Sequence, residues 1–331
     1  MNGAGEFPSR RQAPPGSEPG LVVFLAISFG LAWLVQLGVV FGLRGVPGGL
    51  TSLGGGVLAV TALLMWPPAL GAFVARRWVE RRGFTDAGVR WPGWRFGLLA
   101  WTGPAVLTAL AALASLPLFP FDPSFAPIQE LADRLGQPLP APPALIVAGQ
   151  LAFALTLAVP INAVFAFGEE FGWRGYLLPR LMGHLGPWPG LLLHGAIWGF
   201  WHAPLILLSG YNYPGHALLG VPWFVISGAL MGVLLGWLRL ASGRVLAPTL
   251  AHAALNAIGG APLLLLRGVD AAVGGVLWSP IGWLVLLAAI GWLVASGQLG
   301  AALDATQPGV AEPERVAAGR RRSWGDADAG A

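Results

Sequence analysis

The chain alternates long apolar runs with short polar connections, and the runs have the length that crosses a bilayer. A hydrocarbon core about 30 Å thick takes a helix of roughly 20 apolar residues. Eight runs fit, at 21–43, 52–75, 97–119, 144–168, 190–208, 222–239, 246–266 and 274–296. They predict an all-α fold, a polytopic membrane bundle of about eight transmembrane helices. Pro117 marks the end of the third helix. The fourth continues as helix from Glu169 to Met182 before Gly183, Gly186 and Pro187 stop it. Seven prolines between Pro120 and Pro143 predict a loop, with a short interfacial helix around Ile128–Leu135. No fixed-period repeat is visible, so 20–297 reads as one membrane domain. Residues 1–19 and 298–331, rich in Gly, Pro, Ala and charge, are expected to be disordered tails.

Composition narrows this further. Apolar residues make up 55% of the chain and charged residues 10%, which excludes an ordinary soluble domain. The absence of cysteine excludes disulfides, thiolate zinc sites and a cysteine nucleophile. The first run is too long for a signal-peptide core and lacks a small-x-small cleavage site, so a retained helix is expected. All 19 basic residues are arginines. With both termini inside, eight crossings leave only Arg44, Arg134 and Arg267 outside and the other sixteen inside. That asymmetry predicts a multi-pass protein of the cell membrane with cytoplasmic N- and C-termini. The net charge of +4 is thus accounted for by the lipid bilayer as partner, and no nucleic acid is implied. Nothing in the pattern encodes an oligomeric state. Trp66, Trp78, Trp91, Trp94, Trp188, Trp223, Trp237 and Trp278 fall near span ends, as interfacial belts require.

Against this background a few polar residues stand out. Between Leu135 and Val269 the only acidic side chains are Glu169 and Glu170, at the end of the fourth apolar run. A charged side chain at the centre of a membrane helix costs about 2.5–3.5 kcal/mol on insertion scales, so its presence points to function. Glu170 and Arg174 are at i and i+4 and can pair, while Glu169, rotated about 100°, faces elsewhere. Trp198 with His202, and His252 with Asn256, are also i and i+4. Three helices each present a polar stripe that could converge on a small wet cavity. A glutamate in apolar surroundings can take a proton from water near neutral pH. His202 would hold that water and later protonate the departing amine. His252 and Asn256 could donate to a developing oxyanion. The alternative is a zinc site of Glu169, His202 and His252 with an open water position.

Bland readings apply elsewhere. His184 and His194 read as histidines bonded to neighbouring helices, and His216 as a surface residue. Depth poses a difficulty, because His202 lies about 18 Å along its helix while Glu169 lies near the cytoplasmic end of its own. Pro204, just beyond His202, could kink the helix and shift that depth.

The three motifs resemble, in order and type, the CPBP family, the CAAX prenyl protease and bacteriocin-processing proteins also called Abi. Glu169-Glu170-Phe171-Gly172-Trp173-Arg174 matches E-E-x-x-x-R; Trp198 to His202 matches F-x-x-x-H with Trp for Phe; His252 to Asn256 matches H-x-x-x-N. The resemblance covers about 144–266. It implies an intramembrane endopeptidase similar to type II CAAX endopeptidases, acting on a membrane-associated protein or peptide. Glu169 and His202 would position the attacking water; His252 and Asn256 would bind the oxyanion; Glu170, Arg174 and Trp198 would support them. Both metal-dependent and glutamic mechanisms have been described in that family. No cofactor is favoured here, with zinc the alternative, because the sequence near His202 and His252 is chiefly apolar, with Asn256 the nearest polar candidate and no carboxylate nearby on either helix, and Glu170 is expected to pair with Arg174. A proton- or cation-coupled transporter and a non-catalytic scaffold are the competing functions. A transporter should show inverted repeats, and none is visible.

Overall fold

The computed structural model describes residues 18–43 and 56–305. Among them the fold is all-α. In chain order the helices are α1 (Glu18–Gly42), α2 (Gly56–Met65), α3 (Pro67–Val74), α4 (Trp94–Ser115), α5 (Ala126–Leu135), α6 (Pro143–Leu155), α7 (Ala158–Gly172) and α8 (Leu178–Leu185). They continue as α9 (Pro187–Phe200), α10 (Ala203–Ser209), α11 (Ala217–Ser242), α12 (Leu246–Ile258), α13 (Pro262–Leu265), α14 (Pro280–Ala295) and α15 (Gln298–Asp304). The short helix expected near Ile128–Leu135 is α5.

Among the described residues, four helices are long and apolar enough to cross a membrane: α1, α4, α9 continued by α10, and α11. Three bent pairs bring the number to as many as seven: α2 with α3 (45°), α6 with α7 (51°) and α14 with α15 (69°). The run expected to span at 246–266 does not qualify. Gly259, Gly260 and Pro262 end α12 after 13 residues, about 20 Å of helix. Even so, the chain travels from one end of the bundle to the other there. At its start, Val245 N donates to Gly88 O at 2.9 Å; at its finish, Leu265 O accepts from Asp122 N at 2.8 Å. Those partners flank α4, whose 22 residues hold them about 33 Å apart. This stretch is therefore a helix, a double-glycine corner and one further turn.

The arginines mark one of these ends. Arg76 pairs with Asp86 after α3, and Arg180 of α8 pairs with Glu80, which also accepts from Tyr176 Oη at 2.7 Å. The opposite end is stitched by Arg267 to Asp122 at 3.2 Å, His216 to Asp270 at 3.0 Å and Tyr213 Oη to Trp278 O at 2.5 Å. His216 is half-exposed at this end, as a surface residue should be, and is paired with Asp270.

Three other expectations need correction. The segment from 298 is not tail at its start: Gln298–Asp304 is helical and buries Leu299, Ala302 and Leu303, because these apolar positions fall on one face. The remainder of both expected tails, 1–17 and 306–331, lies outside the described residues. Trp66, Trp78, Trp91, Trp94 and Trp188 are exposed as a belt requires, but Trp237 is buried in the core. His194 is buried, and neither ring nitrogen reaches a hydrogen-bond partner among the described residues.

Glycine sets how closely the central helices approach. A Cβ at Gly199 of α9 would stand 2.5 Å from the Phe224 carbonyl of α11, and one at Gly232 of α11 would stand 2.7 Å from Gly195 Cα. These are small-xxx-small contacts, which let membrane helices pack backbone to backbone. Gly172 of α7 meets Pro68 of α3 at 2.5 Å in the same sense. The glutamate pair is thus pressed against the proline corner between α2 and α3.

Candidate active site

Glu169 and Glu170 sit in the last turn of α7 and are buried, followed by a π-helical turn over Trp173–Leu177. The two carboxylates face different partners. Glu170 Oε1 accepts from Arg174 Nη1 at 2.7 Å and from His252 Nδ1 at 2.8 Å, so it ties α7 to α12. Glu169 Oε2 accepts from Trp198 Nε1 of α9 at 2.7 Å. The Arg174 guanidinium lies 4.4 Å from the Trp198 ring centroid, a cation–π contact beneath the same indole. Trp198 is thus the hub: its ring also meets His252 edge-on at 5.3 Å and His202 at 5.9 Å.

His202 occupies the break between α9 and α10 that precedes Pro204, and its Nδ1 lies 3.0 Å from Trp198 O. This resolves the difficulty of depth. The end of α7 is sunk into the bundle rather than lying at its surface, and the break turns His202 toward it. Glu169, His202, His252 and Asn256 all line one cavity of about 740 Å³. Glu170 and Arg174 are not among its lining residues and form a layer behind it.

The tautomers follow from the partners. A carbonyl and a carboxylate only accept, so Nδ1 of His202 and of His252 each carries the proton. In the neutral rings Nε2 is then a bare acceptor. Asn256 is the residue of the third motif that offers a donor in every protonation state, whereas His252 offers a donor at Nε2 only as an imidazolium.

This geometry overturns the sequence argument against zinc. His252 does have an orienting carboxylate, because Glu170 bridges Arg174 and His252 across two helices, a contact invisible along either one. Both imidazoles are held as metal ligands usually are. Yet among the described residues no three His, Asp or Glu side chains are grouped closely enough to hold an ion, so Glu169, His202 and His252 do not fit a shared zinc in this arrangement.

The cavity also involves residues that motif reading missed: Gln36 of α1, Asn162 of α7, and Tyr211 and Asn212 in the link from α10 to α11. Gln36 had a legible signal. With Ser28 it is a buried polar residue on the α1 face formed by Gly20, Phe24, Ser28, Ala32 and Gln36. Tyr211 had none, since its place depends on the turn that brings its ring parallel to His202, 6.4 Å between centroids.

Residues 148–258, which carry all three motifs, match the family model described as type II CAAX prenyl endopeptidase Rce1-like. The chain is also similar to a CAAX prenyl protease 2 of Methanococcus maripaludis, 32% identical over 76 residues. That likeness covers 22% of this chain and 28% of the relative, so the chain spans less than a third of the length of the curated relative it matches. Through this motif-bearing segment, the chain is similar to the CAAX-protease-like CPBP family, and its long apolar helices are those of a membrane protein.

Proposed function

We propose that this protein is an intramembrane endopeptidase that hydrolyses a peptide bond of a membrane-associated protein or peptide with a water activated by Glu169. The observation that carries this reading is the division of labour between the two glutamates. Glu170 is neutralised by Arg174 and occupied by His252, whereas Glu169 takes one neutral donor, Trp198, and lines the cavity. An anion kept without a full counter-charge beside a cavity is placed to accept a proton.

In the reaction, a water lies between Glu169 and the bare Nε2 of His202. Glu169 takes its proton while the water oxygen bonds to the scissile carbonyl carbon. The carbonyl oxygen becomes an oxyanion and accepts from the Asn256 amide, an interaction commonly worth a few kcal/mol per donor. The carbon–nitrogen bond then breaks, and the proton held by Glu169 passes to the leaving amine, directly or through His202. His252, fixed by Glu170 through Nδ1, stays neutral and lines the cavity one helical turn from Asn256. The Arg-rich end of the bundle is assigned to the cytoplasm on the positive-inside rule, with both termini there.

The family likeness supports the protease reading, and the likeness to a CAAX prenyl protease suggests a CAAX-type substrate. The test is a comparison of protein termini in cells producing wild-type protein or Glu169→Ala at equal level. New termini that depend on Glu169 are expected. Identical termini in the two would remove the protease reading and favour a scaffold.

A further inference from the structure

We propose that Trp33 and Gln36 of α1 are positioning residues for His202; the catalytic meaning of this rests on the protease reading above, the positioning itself does not. The helix break at His202 creates the need. Pro204 has no N–H to give to Phe200 O, and regular bonding resumes only with Ile206 N to His202 O at 3.2 Å. Within a membrane, backbone groups released by such a break must find partners inside the protein. The Trp201 carbonyl finds two on α1, Trp33 Nε1 at 3.0 Å and Gln36 Nε2 at 3.2 Å. Trp201 in turn donates from Nε1 to Ser28 O at 2.9 Å. Three hydrogen bonds thus join one face of α1 to the residue before His202.

The consequence for His202 follows from peptide geometry. The Trp201 carbonyl and the His202 N and Cα share one plane, so fixing that oxygen orients the plane from which the imidazole projects. The ring itself is then held by Nδ1 to Trp198 O and by edge contacts with Trp201 and Phe224, each at 4.8 Å between centroids. Only the Gln36 amide nitrogen can serve a carbonyl, so its orientation is dictated and Oε1 is turned away. That Oε1 is buried and has no partner among the described residues, a cost that an apolar residue at 36 would not carry. A half-satisfied amide in the cavity wall is retained for what its nitrogen does. α1 lies outside the segment matched by the family model, so no motif points to this arrangement.

Two variants remove the donors while keeping bulk, Trp33→Phe and Gln36→Met. The first readout needs no substrate: imidazole nitrogen resonances of the purified protein in detergent, with the five histidines distinguished by single replacement. The His202 signals are expected to shift or broaden in each variant and most in the double variant, with those of His184 and His216 unmoved. The second readout is cleavage of a peptide taken from the Glu169-dependent termini. Here kcat should fall by about tenfold in each variant and about a hundredfold in both, with KM within about twofold, because a displacement of 1 Å can cost that much. If Gln36→Met does not fold, Trp33→Phe alone carries both readouts. An unmoved His202 spectrum with unchanged kcat would overturn the proposal. Should no peptide be cleaved even by wild-type protein, the protease reading fails and the spectrum alone decides the positioning.

Discussion

At the scale of the residue, the site separates a carboxylate that holds structure from one placed to do chemistry. Glu170, Arg174 and His252 form a buried network in which removing one partner leaves another charge uncompensated, typically a loss of about 3–5 kcal/mol. Glu170→Gln should therefore lower stability by that order in detergent unfolding, and Glu169→Gln, which loses only the charge facing Trp198, by much less. Equal losses in the two variants would contradict the division. The metal question also belongs here. His202 and His252 are oriented like ligands, yet no trio of His, Asp and Glu is gathered among the described residues. Activity is expected to survive exhaustive chelation, with zinc well below one equivalent by elemental analysis. Loss of activity restored by one equivalent of zinc would require Glu169, His202 and His252 to close around an ion.

At the scale of the element, the central helices depend on positions that must have no side chain. At Gly199 a Cβ would strike the backbone of α11, which cannot yield, whereas at Gly38 of α1 it would meet nothing within 4 Å. Gly199→Val should cost about 1–3 kcal/mol through overpacking and disturb His202 three residues on. Gly38→Val should be nearly silent in the same thermal unfolding experiment. What was legible in the sequence follows the same division. The length of the apolar runs showed the helices, and the i, i+4 spacing paired Glu170 with Arg174, because these are properties of one stretch of chain. The bond from Glu170 to His252, the anchoring of Trp201 by Trp33 and Gln36, and the place of Tyr211 are contacts between elements. No pattern along a single helix encodes them. The 13-residue α12 was read as a full span because its corner glycines and the turn after Pro262 are as apolar as a helix.

At the scale of the whole molecule, the arginines gather the connections after α3, before α4, after α11 and around α8 at one end, the end that the proposed orientation places in the cytoplasm. Reporter fusions after Arg95 and after Pro140 should report opposite sides, cytoplasmic and external respectively. The same side for both would break the topology, since α4 is the one helix of spanning length between the two positions, α5 having only ten residues.

The most direct measurement is made on purified wild-type protein and Glu169→Gln, each with the peptide identified from Glu169-dependent termini and each checked for folding by thermal unfolding. Wild-type protein is expected to release the same new terminus in vitro, while Glu169→Gln, folded and with its Trp198 contact still possible, gives no turnover above background. Cleavage by Glu169→Gln at the wild-type rate would contradict the account at its centre.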